Sequence, residues 1–497
     1  MDLYLIVATA LLGIFVYWCM RPHFSVLRHI PEPTRWPILQ YNLDLMMSKD
    51  KLPMIRNWAK SFKDAIFKIN FLKVSNFGYW IHIARPEHIK YVVGNPALFT
   101  RGESLRFFFP LMGDGILTSE GKEHSFQKKL MAKAFSVEHI KRYIPKMNFH
   151  AKRLINHWMA MIEDQEVGRN IEVQDDCSNA VFDIFCDTGF GHHYDALKCD
   201  NDVVTLFKQQ IDTVTDVKNR ILFNMLSFLK YFNINAVDMK RKNTERCKEI
   251  VEDIITKKRE LLAKDEDDES DKHDDLLSML MKARDDETKT GFTDKLLRDN
   301  VFTLMVASFE TTGTAVPWIM FTFAMNQEEQ YAARKEINNT LGDREDLEPD
   351  DLSRMTFTNA CIKEALRLNP PVSFMSRTSK QKCVIGGYQI PANQLIFANL
   401  MSTHRQDDVY ERPDKFHPER YLNGSVPSVP ASYVTFGYGP YSCIGQHFAM
   451  VEIKVLVISL LRKFHITADP QFQKYSTKTF ITIKANPPIT LRLVLYL

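Results

Sequence analysis

The sequence predicts a mainly α-helical fold with small β-sheets, an α+β chain built as one large domain. Helical periodicity dominates Ile140–Lys264, and two apolar runs, Val301–Met325 and Ile444–Phe464, are long enough for buried helices. Strand signals are confined to short pieces: near His82, between Val384 and Leu400, and from Pro470 to the end. A length of 497 residues suggests roughly three ordinary domains, yet no Gly/Ser- or Pro-rich linker divides the chain after residue 40. The net charge of +3 demands neither nucleic acid nor an acidic partner. Eight cysteines, irregularly spaced and without a Cys-x-x-Cys pair, fit reduced cytosolic thiols rather than a disulfide frame or a zinc site. The 34 Phe and 21 Met supply adaptable apolar volume, compatible with a buried cavity.

In chain order, Leu3–Met20 is almost continuously apolar and about long enough to cross a bilayer with its flanks. It lacks a basic lead and a small-residue cleavage site, which argues against a removable signal. Asp2 precedes the span and Arg21, Arg28 and Arg35 follow it, so the positive-inside rule puts the rest of the chain in the cytosol. The sequons Asn338-Asn-Thr340 and Asn423-Gly-Ser425 should then stay unglycosylated. The prolines of Pro31–Pro37 stiffen the exit from the span. His82–Val93 reads as a short strand and helix, and Phe99–Leu117 as an irregular aromatic loop. Lys122, Lys129, Lys133, Lys141, Arg142 and Lys146 make the next region basic; a solvated helix face is the ordinary reading. His192-His193 cannot share a helix face and has no third ligand at a metal spacing, so the pair reads as structural or surface. Asp265–Asp275 holds eight acids in eleven residues and reads as a solvated loop.

Val301–Met325 carries Glu310, Gly313, Pro317 and five threonines, an expensive set in lipid but a reasonable one in a protein core. Pro317 denies the Gly313 carbonyl its helical partner and suggests a kink. Glu364 and Arg367 stand at i, i+3 on one helix face. Val384–Leu400, broken by Gly386-Gly387 and Pro391, reads as a β-hairpin. Finally, Phe436–Gly445 sets Cys443 in a Gly/Pro-rich turn ahead of an apolar helix. Amides and the helix dipole there favour a thiolate, as an axial ligand to haem iron requires. A phosphate cradle is excluded, because Gly437 and Gly439 lack the third glycine of Gly-x-Gly-x-x-Gly.

Phe436, Gly439, Cys443 and Gly445 fall at the spacing Phe-x-x-Gly-x-x-x-Cys-x-Gly, which resembles the haem loop of the cytochrome P-450 family, eukaryotic microsomal type. Other stretches resemble family motifs in the same order. Pro31–Pro37 is similar to the proline hinge, with Glu32 where glycine is usual. Gly121–Phe135 resembles the helix facing the haem edge, with His124 and Lys128 where Trp and Arg are usual. Ala307–Thr312 resembles the acid–alcohol pair, with Ser308 in place of glycine. Glu364 and Arg367, with Arg420 of Phe416–Arg420, resemble the buried triad that scaffolds the haem loop. Tyr441 stands where Arg or His is usual and brings no charge, so it bears on haem affinity and redox potential.

The resemblance implies haem b between the long central helix and the helix after the Cys443 loop, with Cys443 on iron. Glu310 and Thr311 would form the proton relay. His124, Lys128 and Arg377 would meet the propionates, with His404 a further contact, while Phe436 and Tyr441 belong to the cofactor-binding loop. It also implies a monooxygenase fed from NADPH by a flavoprotein reductase, with cytochrome b5 as a second donor, the basic region docking the acidic reductase. The expected organisation is an anchor over 1–20, a hinge over 21–40 and a catalytic domain over 41–497, in the endoplasmic reticulum membrane facing the cytosol. Phe107–Phe109, Leu111, Ala307, Val372, Phe374 and Thr477–Ile483 suggest an apolar pocket that fits a lipid, sterol, terpene or xenobiotic alike. Two alternatives stand beside this reading: a haem-thiolate isomerase or dehydratase, which dispenses with the relay, and a non-catalytic haem-binding protein.

Overall fold

The computed structural model describes residues 26–33, 48, 50–62, 64–69, 79–101, 105, 108–162, 167–198, 202–215, 235–264, 275–422, 429–469, 475–479 and 482–496. The expected anchor, most of the hinge, the acidic run over 265–274, Phe107 and the Asn423 sequon lie outside these residues. Among the described residues no helix is long and apolar enough to cross a membrane.

The main helices are α1 (Lys51–Ser61), α2 (Pro86–Val93), α3 (Gly121–Met131), α4 (Ile144–Met161) and α5 (Gln174–Phe190). They are followed by α6 (Asn235–Lys264), α7 (Asp294–Met325), α8 (Gln327–Leu341), α9 (Thr356–Leu368) and α10 (Gln446–Lys463). The first sheet runs β1 (Ile66–Ile69), β2 (Trp80–Ile83), β8 (Leu395–Asn399), β5 (Phe374–Ser379), β3 (Phe99–Thr100) in space. Only its β2–β8 pair is parallel. A second sheet joins β4 (Arg169–Glu172), β12 (Thr490–Leu495) and β9 (Phe464–Thr467). Two hairpins complete the set, β6 (Cys383–Ile385) with β7 (Tyr388–Ile390), and β10 (Ser476–Thr479) with β11 (Ile483–Asn486).

Helix α7 is the spine. It starts at Thr293, whose hydroxyl accepts from the Leu296 amide at 3.2 Å and satisfies one orphan donor. It begins earlier than the apolar run and continues through Pro317. Its apolar residues point all round, and both α5 and α10 pack against it. Gly313 permits the α5 crossing: a Cβ there would lie 2.9 Å from Ser178 Cα. Phe182 of α5 meets Phe309 of α7 edge-on, with centroids 5.7 Å apart.

Three local expectations need revision. The helical stretch 140–264 is interrupted by β4, a mostly polar strand that buries only Ile171 and pairs with the distant β12. The expected hairpin over 384–400 closes at Gly386-Gly387 and ends at Ile390; Leu395–Asn399 instead joins the first sheet between β2 and β5. Asp275, the last acid of the acidic run, is buried. It accepts from the Ser278 amide to cap the helix Leu276–Lys282 and pairs with Lys258 at 2.8 Å.

Candidate active site

The Cys443 loop is shaped by its own backbone. The Cys443 amide donates to the Phe436 carbonyl at 2.8 Å, and the Ser442 amide to the Gly439 carbonyl at 3.0 Å. Gly439 has φ +73°, and a Cβ there would meet Gly94 Cα at 2.9 Å, so glycine is required twice over. The loop delivers Cys443 just ahead of α10, whose N-cap is Gly445. Cys443 is exposed, yet protein encloses it on most sides. That enclosure dominates and holds the thiol above its ordinary value, although the Gly445 N–H and the Lys128 ammonium pull it part of the way down. Lys128 reaches over from α3 and donates to the Pro440 carbonyl at 2.8 Å and to the Ser442 carbonyl at 3.3 Å, so it clamps the loop.

Tyr441 is the hub of a basic cluster. Its hydroxyl accepts from the Gly121 amide at 3.1 Å, and its ring meets His124 edge-on at 4.6 Å. The Arg101 guanidinium lies 4.2 Å from the ring centroid and that of Arg377 5.6 Å from it. Burial lowers Arg377 to about 10; burial, then repulsion from Arg377, lowers Arg101 to about 10. His124 falls to about 4, through burial first and then the charges of Arg101 and Lys128, and is neutral at pH 7. The Glu120 carboxylate offsets part of the charge of Arg101 and Arg377. Arg101 and Arg377, two buried cations converging on one ring, suit an anionic ligand edge, as the two propionates of haem provide.

The acid–alcohol pair is divided between two environments. Glu310 is buried, with Thr482 donating to its Oε1 at 2.7 Å and Lys484 lying 2.9 Å from the same oxygen. Thr311 is half-buried, and its hydroxyl donates to the Ala307 carbonyl at 2.7 Å. Ala307 is exposed although it sits mid-helix, so this turn of α7 faces open space. Neighbouring Leu111 is buried, Phe108, Val372 and Phe374 are half-buried, and Phe109 is exposed.

The triad assembles in full. Arg367 forks onto Glu364 at 2.7 and 2.8 Å and donates to the carbonyls of His404, Pro413 and Lys415. Arg420 adds a bond to Glu364 at 3.2 Å, and the His417 amide another at 3.1 Å. His404 belongs to this scaffold and not to a propionate. Its Nδ1 donates to the Arg367 carbonyl at 3.1 Å, and its Nε2 accepts from the Val434 amide at 2.9 Å. Elsewhere, His193 does find companions: His150 and Asp187 lie with it inside 4.8 Å. Lys146 at 2.9 Å from Asp187 and Arg153 beside His150 make this an ion-paired knot, in keeping with a structural role.

Arg101 escaped the reading of the sequence because nothing around it is a motif. Its place follows from strand register: Thr100 pairs with Thr378, so the next residue on each strand brings Arg101 opposite Arg377.

The cytochrome P450 family model matches residues 30–492. Rat cytochrome P450 4B1 is 26% identical over 468 residues, covering 88% of this chain and 84% of its own length. Rat cytochrome P450 4F5 is 27% identical over 484 residues, with 94% and 90% covered. The pig taurochenodeoxycholic 6 alpha-hydroxylase is 28% identical over 399 residues, with 78% and 76% covered. The crystal structure of the cytochrome P450DA heme domain superimposes with a TM-score of 0.82 at 22% identity, covering 94% of this chain and 98% of that one. With the thiol loop, the buried triad and the spine helix all in register, the chain belongs to the cytochrome P450 family, haem-dependent monooxygenases of apolar molecules.

Proposed function

We propose that this chain holds haem b through Cys443, Arg101, Arg377 and Lys128 and hydroxylates or epoxidises a lipid-like substrate. The observation that carries the reading is the Cys443 thiol, set by its loop beside the Gly445 N–H and the Lys128 ammonium at the start of α10. Bound there, haem supplies oxygen activation, which a thiolate ligand favours by pushing electron density onto iron. The chain's own work is positioning. Arg101 and Arg377 offer charge-assisted donors to the propionates, and His124 packs the edge of Tyr441 as a neutral ring. Thr311 presents a hydroxyl on the open face of α7, and Glu310 beside it holds a carboxylate that can move a proton toward that hydroxyl once a side chain turns. The half-buried apolar residues Phe108, Val372 and Phe374 suit an apolar substrate, and the pig relative named for a bile-acid hydroxylation makes a steroid or fatty acyl chain a reasonable class to screen. The exposed Lys122, Lys133, Lys141 and Arg142 offer a basic face to an NADPH-dependent flavoprotein reductase or cytochrome b5. Leu3–Met20 would anchor the domain on the cytosolic side of the endoplasmic reticulum.

The deciding experiment is the reduced, carbon-monoxide-bound absorption spectrum of the expressed protein beside Cys443→Ala. A strongly red-shifted Soret band that the variant loses is the expected result. A band at the histidine-ligated position would overturn the thiolate assignment.

A further inference from the structure

We infer that Lys484 is the solvent end of the proton route through Glu310, a positioning residue that also hands the proton inward. The inference rests on the Glu310–Thr311 relay proposed above. Glu310 is 3% exposed and cannot exchange protons with bulk water directly. Its carboxylate instead meets the segment that opens β11. Thr482 fixes Oε1 at 2.7 Å, while the Lys484 ammonium lies 2.9 Å from Oε1 and 3.2 Å from Oε2. The Lys484 side chain is 24% exposed, so one group touches both the buried acid and water.

This contact is built, not incidental. Trp318 of α7 donates its Nε1–H to the Ile483 carbonyl at 2.7 Å, and the Ile483 amide donates to the Pro371 carbonyl at 2.8 Å. The residue between Thr482 and Lys484 is thereby pinned on both sides. In extended chain, residues two apart face the same way, here toward Glu310. On the inner side, Thr311 follows Glu310 directly and lies on the open face of α7.

The transfer balances without any electron moving. An N–H bond of the Lys484 ammonium breaks as an O–H bond forms on Glu310. The resulting neutral amine takes a replacement proton from a hydronium ion at its exposed face. Glu310 then passes its proton to the Thr311 oxygen as that hydroxyl gives up its own. Ion pairing alone would be served equally well by arginine, but a guanidinium does not release a proton. That difference is the handle for a test.

The full-length, haem-loaded protein with its reductase would be compared with Lys484→Arg, Lys484→Met and Thr311→Ala. The readouts are peroxide released per NADPH, with 7-ethoxycoumarin as the probe, the solvent deuterium effect, and thermal melting. Lys484→Arg should melt like the parent yet slow the proton-dependent step roughly hundredfold, so that most NADPH ends as peroxide. Independently of turnover, infrared difference spectra of Lys484→Met should show a new protonated-carboxyl band that vanishes when Glu310→Gln is added. Parental coupling and isotope effect in Lys484→Arg, or no new band in Lys484→Met, would overturn the inference. If Thr311→Ala uncouples while Lys484→Arg does not, Lys484 alone is excluded. If Thr311→Ala also couples fully, the relay falls and the Lys484 inference with it.

Discussion

Two charge clusters, one around Glu364 and one around Tyr441, are built on opposite principles. Around Glu364, each carboxylate oxygen and the Arg367 guanidinium are met by protein: two arginines, three carbonyls and a backbone amide close the network on itself. Around Tyr441, the buried Arg101 and Arg377 crowd together with Lys128 beside Arg101, and Glu120 offsets part of the charge of the two arginines. The first arrangement leaves no capacity for a ligand and so acts as scaffold. The second carries like charges close together and becomes favourable when anionic groups arrive. Conservation is not needed to tell them apart; charge balance is enough.

Breaking the closed network should give the largest effect. Glu364→Gln leaves Arg367 buried without its counter-charge, at a cost of about 3–5 kcal/mol, a large share of a domain's stability. Soluble yield and thermal denaturation of the haem-free and haem-loaded protein would both collapse; a parental melting curve would contradict the scaffold assignment. The open cluster should respond in the opposite sense. Arg377→Leu removes a cation that donates to the adjacent Ser376 carbonyl at 2.8 Å. The haem-free protein should melt no lower than the parent, because a repulsion with Arg101 is relieved. Haem release, followed by transfer to apomyoglobin, should quicken roughly ten- to a hundredfold, the value of about 1.5–3 kcal/mol for a charged hydrogen bond. A variant that loses haem-free stability instead would show that the two clusters are not different in kind.

The same contrast explains what was legible in the sequence. Cys443, Glu364 and Arg367 were readable because their chemistry depends on spacing within one turn or one helix face. Arg420 was readable only through the resemblance. Arg101 was not, since it reaches Tyr441 through the β3–β5 register, a pairing of segments far apart in the chain. The carbonyl contacts of Lys128 to Pro440 and Ser442 could not be foreseen from α3 alone. For Glu310, periodicity located the helix but not the partner, because Lys484 arrives on a C-terminal strand. The hairpin boundary failed for a related reason: Leu395–Asn399 has strand character on either assignment, and only tertiary pairing with β2 decides it.

Tyr441 sharpens the comparison on a smaller scale. Tyr441→Phe keeps the ring under Arg101 but removes the acceptor for the Gly121 amide, a loss of about 1 kcal/mol. Tyr441→Leu should lose that bond and the cation–π contact together, about 0.5–1 kcal/mol more. Haem-free melting of the two variants separates the contributions; equal losses would mean that the ring face contributes nothing.

A small effect at neutral pH is expected from an imidazole without a hydrogen bond among the described residues. His82 is buried between Phe67, 4.9 Å away, and Phe397, 5.3 Å away, and neither ring nitrogen has a hydrogen-bond partner among the described residues. His404, by contrast, is bonded at both nitrogens inside the scaffold. Burial lowers each to about 3 from an ordinary 6.5. The unfolded chain therefore takes up protons first as pH falls. Stability from each ring is fully present above 6.5 and is lost between about 6.5 and 3, at up to about 1.4 kcal/mol per pH unit. His82→Phe should change stability at pH 7 by less than about 1.5 kcal/mol, as a near-isosteric swap in an apolar site. It should also remove one of these proton uptakes, so the denaturant midpoint declines less steeply from pH 6.5 to 5. An unchanged slope would mean that His82 is already protonated in the folded protein, and that a charged partner satisfies it there.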